Sequence, residues 1–339
     1  MTGGLDTIAV VAWLREHGFA GAREPVIEVL AGGQSNPSYR IRTDRGDYVL
    51  RKKPPGLLLP SAHAIDREHR VMQALAGSGV PVPRMLAWCG DASVTGTPFY
   101  LMEFLAGRVL ADPALPHCAP GERAAIYREM NRVIALLHSL EVEAVGLSSF
   151  GRPGNYVARQ VARWVDQCER ATLPLPPAMR ELMDWLPAHV PAAASTRLVH
   201  GDFRIDNLVF HASEPRVIGV LDWELSTLGD PLADFSYHCM AWRVAPSLWR
   251  GVGGLELAAL GIPGEPEYVR AYAQATGLAI AHWDFYMAYN LFRMAAILHG
   301  IAQRANEGTA AAPDAVEVGA KAAPLADLAL AIARRAVTA

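Results

Sequence analysis

The sequence predicts an α+β chain in two lobes: a small N-terminal lobe of antiparallel sheet plus a helix, then a larger, mainly helical C-terminal lobe. Three observations carry that expectation. Through about residue 103, short β-branched runs alternate with turn residues. From about Pro120 the apolar residues fall at helical spacing instead. One strand–loop–strand, Leu198–Phe210 followed by Val217–Trp223, then interrupts the helical series. At 339 residues the chain exceeds one typical domain, and we expect it to divide at 1–103 and 104–339.

Composition narrows the function classes. Apolar residues make up 51% and charged residues only 19%, which suits a packed core and argues against extensive disorder. The formal charge of −3 gives no global attraction to nucleic acid or to an anionic membrane, so neither is expected as a partner. Cys89, Cys118, Cys168 and Cys239 are far apart and form no metal-ligand pairs, as in a reducing compartment. The first residues lack a basic region followed by an apolar stretch, which predicts no secretory signal and a cytoplasmic location. Phe285 to Ala302 is the most apolar long segment. It carries Asn290, Arg293 and His299, so we read it as a buried helix rather than a membrane span.

The elements follow in order. Thr7 to Phe19 reads as a helix capped by Asp6 or Thr7 and stopped by Gly18. Pro25–Leu30, Tyr39–Arg42 and Tyr48–Arg51 read as short strands, the last two joined by the turn Asp44–Asp47. Ser61 to Leu75 is a helix carrying Glu68, and Pro98–Leu105 is a further strand ending at Ala106–Gly107. Later helices are expected over Glu122–Leu140, from Arg159, over Met179–His189, Pro231–Trp242, Glu265–Gly277, His282–Asn306 and Ala315–Arg335. The last of these is expected to break or kink at Pro324. The loop Gly32–Ser38 has two readings: an ordinary hairpin connection, or a loop whose backbone N–H groups cover nucleotide phosphates.

The chemistry-bearing residues lie around the interrupting strands. Asp202 and Asn207 lie in a polar loop between two apolar runs and Asp222 ends the second run, and two carboxylates with a carboxamide can hold a divalent metal and orient a hydroxyl. Phosphoryl transfer from a nucleotide needs that arrangement, because catalysis there is mostly positioning and charge neutralisation. It also needs a cation on the third strand and a helix acid to pair with it. Arg51 or Lys53, then Glu68, then Asp202 with Asn207, then Asp222 appear in that order. Each is ordinary alone; together, on those element types, they are hard to obtain by accident.

His200–Gly201–Asp202–x–x–x–x–Asn207 with Val220–Leu221–Asp222–Trp223 resembles the aminoglycoside phosphotransferase and choline kinase-like family, which has the protein-kinase-like fold. Ala31–Asn36, Tyr48–Pro54, Arg67–Glu68, Gly79–Pro83 and Leu101–Glu103 fall where that family has similar segments, so the resemblance runs from about Leu30 to Tyr237. Gly151–Tyr156 adds a likeness to the kinase-like domain fused to some acyl-CoA dehydrogenases.

The resemblance implies a two-lobed phosphotransferase that moves the γ-phosphate of ATP, or another nucleoside triphosphate, with Mg2+ to a hydroxyl of a small molecule. It implies Asp202 as the catalytic carboxylate that accepts or orients the proton of the acceptor hydroxyl, and Asn207 and Asp222 as metal ligands. Gly33, Gln34, Ser35 and Asn36 would cover the phosphates. Arg51, with Lys53 as alternate, would hold them, and Glu68 would pair with that cation. Glu103 to Leu105 would form the hinge that receives the base, and Met102 just before it would line the base pocket or pack in the core. His200 is expected to brace the loop, and Asp234 to cap or tie down local structure. The implied acceptor is a hydroxy acid or hydroxyacyl thioester, with an aminoglycoside or amino alcohol as alternative. Trp242, Arg243, Tyr286, Tyr289, Asn290 and Arg293 supply a mixture of aromatic and cationic groups for it. A protein kinase is disfavoured, because Trp–Glu–Leu rather than Phe–Gly follows Asp222. A nucleotide-binding module without catalysis is disfavoured because Asp202, Asn207 and Asp222 are all present.

Overall fold

A computed structural model describes residues 5–30, 36–54, 64–192, 195–310 and 312–336. In chain order the elements are α1 (Thr7–Glu16), β1 (Val26–Val29), β2 (Ser38–Arg42), β3 (Asp47–Lys52), α2 (Ile65–Leu75), β4 (Met85–Cys89), α3 (Ala92–Thr95), β5 (Phe99–Glu103) and β6 (Gly107–Val109). Then come α4 (Pro120–His138), α5 (Tyr156–Glu169), α6 (Pro177–Ala188), β7 (Arg197–Val199), β8 (Leu208–His211), β9 (Val217–Val220) and β10 (Thr227–Gly229). The chain finishes with α7 (Pro231–Cys239), α8 (Leu257–Leu260), α9 (Glu265–Thr276), α10 (Trp283–Asn306), α11 (Ala315–Ala320) and α12 (Ala322–Ala336). The fold class is α+β, as the sequence predicts.

Two compact units form, Met1–Val109 with Asn207–Ser226, and Leu110–Asp206 with Thr227–Ala339. The division is not consecutive along the chain. Asn207–Ser226 returns to the first unit because β8 pairs with β6 and the Val220 amide donates to the Pro81 carbonyl at 2.8 Å.

The first unit is a five-stranded sheet in the order β1-β2-β3-β5-β4, with antiparallel neighbours throughout. Strand alternation sends Ile41, Leu50, Phe99 and Leu101 to one face, where Val10, Trp13 and Leu14 of α1 cover them. Burying side chains of that size contributes about 2 kcal/mol each. Arg51 and Tyr100, one residue out of phase, point to the other face toward α2. The three-stranded sheet β6-β8-β9 completes the unit.

In the second unit α10 is the central element, buried almost continuously from Phe285 to His299. It packs on α5, α6, α7, α11 and α12. That is why Asn290, Arg293 and His299 sit in so apolar a helix, each bonded to a backbone carbonyl. Among the described residues, no helix is long and apolar enough to cross a membrane. The expected break near Pro324 falls three residues earlier, at Lys321. Pro324 itself lies in the first turn of α12, where its missing N–H removes no intrahelical bond.

Candidate active site

In the first unit, the functional side chains converge beneath the sheet. Glu68 on α2 is 1% exposed and accepts two hydrogen bonds from Arg51, Nε to Oε2 at 2.8 Å and Nη2 to Oε1 at 2.9 Å. The hydroxyl of Tyr100, on β5 next to Arg51, donates to Glu68 Oε2 at 2.9 Å. Arg51 Nη2 also donates to Asp222 Oδ1 at 2.9 Å, so one guanidinium joins the strand, the helix acid and the later acid. Burial acts to lower the Arg51 pKa, but the Glu68 and Asp222 carboxylates outweigh it and hold the guanidinium above its ordinary value.

Asp222 is delivered by a strained turn. Its φ of 64° lies in the left-handed region, which costs a non-glycine residue on the order of 1 kcal/mol and is tolerated best by Asp and Asn. Two contacts hold it there. The Leu221 amide donates to the Asn207 carbonyl at 2.8 Å, and the buried Trp223 ring donates to the Val220 carbonyl at 2.9 Å. Oxygens of Glu68, Asp222 and Glu224 lie within 4.8 Å of one another. Asn36 is fully buried; its Nδ2 donates to Glu224 Oε2 at 3.4 Å, while its Oδ1 has no partner. Glu68 is already taken by Arg51 and Tyr100, but Asp222 and Glu224, with the unmatched Asn36 carboxamide oxygen nearby, are hard oxygen donors that fit a divalent cation such as Mg2+.

The remaining first-unit candidates are placed as follows. Lys52 points to the α1 face, where its buried Nζ donates to the Thr95 carbonyl. Lys53 lies just past the end of β3, and among the described residues its ammonium has no carboxylate partner. Met102 is buried. The Glu103 amide is committed to the Arg84 carbonyl at 3.0 Å, and its side chain accepts from the Arg84 amide at 2.8 Å. Leu105 lies over Gly219, where a Cβ would come within 2.2 Å of its Cδ1. Gly33, Gln34 and Ser35 lie outside the described residues.

The second unit carries Asp202. Its Oδ1 accepts the Tyr237 hydroxyl at 2.5 Å and pairs with Arg204 Nε at 3.0 Å. Burial and the neighbouring carboxylate push the Tyr237 phenol far above its ordinary value, so it remains a proton donor. The loop before Asp202 is clamped from below. Asp234 accepts the amides of His200 at 2.7 Å and Gly201 at 2.8 Å, and the His138 ring at 3.1 Å. Burial pushes the Asp234 carboxyl up, but these hydrogen bonds and the histidine charges hold it below its ordinary value. Gly201 has φ 83°, a left-handed conformation that suits glycine. The Asp202 amide in turn donates to His200 Nδ1 at 3.2 Å.

Against Tyr237 and Arg204, which both touch Asp202, lies a small cavity of about 70 Å3. Tyr127, Met130, Trp242, Trp249, Met294 and Leu325 give it apolar walls, and Arg204, Asp206 and Arg250 stand among them. Asp206 is the one carboxylate in this lining among the described residues, and it pairs with Arg250 at 2.5 Å and Arg204 at 3.5 Å. Of the six aromatic and cationic residues that the sequence offered for the acceptor, Trp242 lines this cavity. The others are engaged elsewhere: Arg243 with Glu265, Tyr286 with Asp230, Asn290 with Ala233 and Ser236, and Arg293 with Gly201, while Tyr289 is buried in α10. For the four on α10 the reason is that this helix is buried almost continuously.

Sequence reasoning missed Tyr237, Arg204 and Glu224. Tyr237 had a readable signal, since it lies one helical turn after Asp234 and therefore on the same face of α7.

A profile of the phosphotransferase enzyme family matches residues 26–289. Mouse acyl-CoA dehydrogenase family member 10 is 49% identical over 300 residues, covering 88% of this chain and 28% of the relative. Rat acyl-CoA dehydrogenase family member 11 is 39% identical over 343 residues, covering 98% of this chain and 44% of the relative. The chain thus spans less than half the length of these curated relatives. A Ralstonia eutropha protein, provisionally described as an aminoglycoside phosphotransferase, has a crystal structure that superposes with TM-score 0.89 at 50% identity over 98% of this chain and 99% of that one. With that match across most of its length, the chain belongs to the phosphotransferase enzyme family.

Proposed function

We propose that this chain moves the γ-phosphoryl group of ATP, or another nucleoside triphosphate, to the hydroxyl of a small molecule, with Mg2+ as its metal. The observation that carries this reading is the ion-pair network of Arg51 with Glu68 and Asp222 at 2.8 and 2.9 Å. It fixes a cation and a metal-competent acid in one place, which is what a charge-neutralising transfer requires.

Each residue has a role its chemistry supports. Arg51, oriented by Glu68, presents donors to phosphate oxygens, and a forked guanidinium suits that better than a point charge. Asp222 and Asn207 are the metal ligands in this reading, with Glu224 near enough to Asp222 to assist. Mg2+, when bound, neutralises charge on the β- and γ-phosphates. Gly33, Gln34, Ser35 and Asn36 cover the phosphates, and Met102, Glu103 and Leu105 receive the base. The Glu103 amide is already bonded, so the base has the Glu103 carbonyl and the Leu105 backbone to use. Asp202 orients the acceptor hydroxyl and takes its proton. Position matters more than basicity for that step, because the transition state is loose.

For the acceptor we favour an alcohol with an apolar body and an anionic or thioester end, a hydroxy acid or hydroxyacyl thioester. The apolar cavity against Tyr237 and Arg204 supports this, as does the absence of an unpaired carboxylate in its described lining. A polycationic sugar needs several acids, and the lining supplies one, already held by two arginines. The acyl-CoA dehydrogenase names of two relatives point the same way. The 50% identical neighbour favours a second reading, an aminoglycoside or amino-alcohol kinase. A coupled ADP-release screen over hydroxy acids, hydroxyacyl thioesters, amino alcohols and aminoglycosides separates the two. Turnover confined to aminoglycosides or amino alcohols would overturn the acceptor assignment.

A further inference from the structure

Arg293, in the middle of α10, is 8% exposed, and among the described residues no carboxylate lies within ion-pair distance of it. Its Nη2 donates to the Gly201 carbonyl at 2.9 Å, and its Nε has no partner. The guanidinium carbon stands 4.8 Å from the centre of the Tyr237 ring and 5.9 Å from that of Trp164. A buried charge without a counter-ion is costly, so such an arginine needs a compensating charge close by. Burial works against its charge, and the phenols of Tyr289, Tyr237 and Tyr156 and then the Asp202 carboxylate offset that, Asp202 belonging to the loop whose Gly201 carbonyl Arg293 holds.

The same two residues reach Asp202 from two elements. Tyr237, on α7, donates to Asp202 Oδ1, and Arg293 stacks over that tyrosine's ring. Arg293 also holds the carbonyl of Gly201, the residue before Asp202, whose amide is held by Asp234. Both sides of the Gly201 peptide backbone are therefore pinned by buried charged groups, one from α7 and one from α10.

We propose that Arg293 and Tyr237 are positioning residues for phosphoryl transfer, with Arg293 a buried cation whose counter-charge is the Asp202 carboxylate and Tyr237 the hydroxyl that aims it. This rests on the role given to Asp202 above. Other described groups that face Asp202 include Arg204 at 3.0 Å, Asp206 through Arg204, Arg250 on Asp206, and His200 at the Asp202 amide. Arg204 is partly exposed and already shared with Asp206, whereas Arg293 is buried and shared with no acid. Removing Arg293 therefore takes away charge that solvent does not screen and that no neighbour replaces.

The test is a titration of the Asp202 carboxyl by 13C NMR on aspartate-labelled full-length protein, the resonance assigned by its loss in Asp202→Asn. It is run on wild type, Arg293→Lys, Arg293→Met and Tyr237→Phe, beside kcat and KM for ATP. The Arg293→Met midpoint is expected to rise by about one pH unit, and Tyr237→Phe by about half of that, as a cation and a hydrogen bond are lost. Arg293→Lys should stay within a few tenths of wild type and recover most of kcat. In Arg293→Met kcat should fall at least about tenfold while KM for ATP stays within about twofold. Midpoints unmoved in Arg293→Met and Tyr237→Phe would overturn the proposal, since a merely structural role lowers activity without moving them. Should Arg293→Met fail to fold, Tyr237→Phe decides alone: a raised midpoint supports the proposal and an unmoved one overturns it. Raised midpoints in a protein that turns over no ATP would sustain this electrostatic role and defeat the phosphotransfer reading instead.

Discussion

Arg51 holds Glu68 by both carboxylate oxygens, at 2.8 and 2.9 Å, in a pair whose side chains are 12% and 1% exposed. Removing Glu68 leaves the buried guanidinium with Asp222 alone, so the cost falls at the lower end of the roughly 3–5 kcal/mol for breaking a buried pair from one side. Glu68→Ala should therefore destabilise the protein by about 3 kcal/mol and impair ATP use as well. Glu68→Gln keeps an oxygen for the fork and for Tyr100; it should lose less stability but still raise KM for ATP about tenfold. Denaturant unfolding with ATP kinetics on both variants checks this. Equal stability of Glu68→Ala and wild type would remove the pair from the account.

Asp202→Ala should lower kcat by about 10²–10⁴-fold, the range for a positioned proton-accepting side chain. ATP affinity, measured by calorimetry, should change little, because the phosphate and metal contacts are assigned to other residues. A large loss of ATP binding in this variant would contradict the division of roles.

Asp222→Asn retains a residue that tolerates the left-handed backbone, so the fold should survive; Asp222→Val should not be tolerated there. With its carboxylate gone, Asp222→Asn should show at least about a tenfold rise in the Mg2+ concentration needed for half-maximal activity. A Mg2+ requirement unchanged from wild type would mean that Asp222 holds no metal.

How much of this was legible beforehand differs from residue to residue. Arg51, Glu68 and Asp222 were readable as a set because strand alternation separates Arg51 from Lys52 and because the residues occur in a fixed order along the chain. That they meet at one guanidinium could not be read, since it depends on Asn207–Ser226 returning to the first unit. Glu224 looked like an ordinary residue two places after an acid. Tyr237 entered only as the end of the resembling stretch; it is buried, and its hydroxyl reaches Asp202. Arg293 was grouped with acceptor-facing residues because a helix buried all round offers no polar face to say which way an arginine turns. The helix boundaries were read closely, to within about three residues, where Pro and Gly mark them.

Burial pushes the His238 imidazole down to about 4, with its Nε2 and the Tyr268 hydroxyl 2.8 Å apart. Below the ordinary value of about 6.5 the unfolded chain takes up a proton there that the folded chain refuses, so stability rises with pH between about 4 and 6.5. Conversely, about 3 kcal/mol should be lost as pH falls through that window. In His238→Gln, urea midpoints should fall less steeply between pH 6.5 and 4. Parallel curves for the two proteins would show that this histidine does not govern acid stability.

The central claim is that ATP and Mg2+ bind together at the Arg51–Glu68–Asp222 network. A thermal-shift series with ATP, Mg2+ and both tests it most directly. With ATP–Mg2+ a hundredfold above its Kd, stabilisation is about 2.7 kcal/mol, which at about 2 °C per kcal/mol raises Tm by about 5 °C. The account predicts that rise for the pair, little for either component alone, and a much smaller rise in Asp222→Asn. A wild-type Tm that ATP–Mg2+ moves no further than ATP or Mg2+ alone would contradict it.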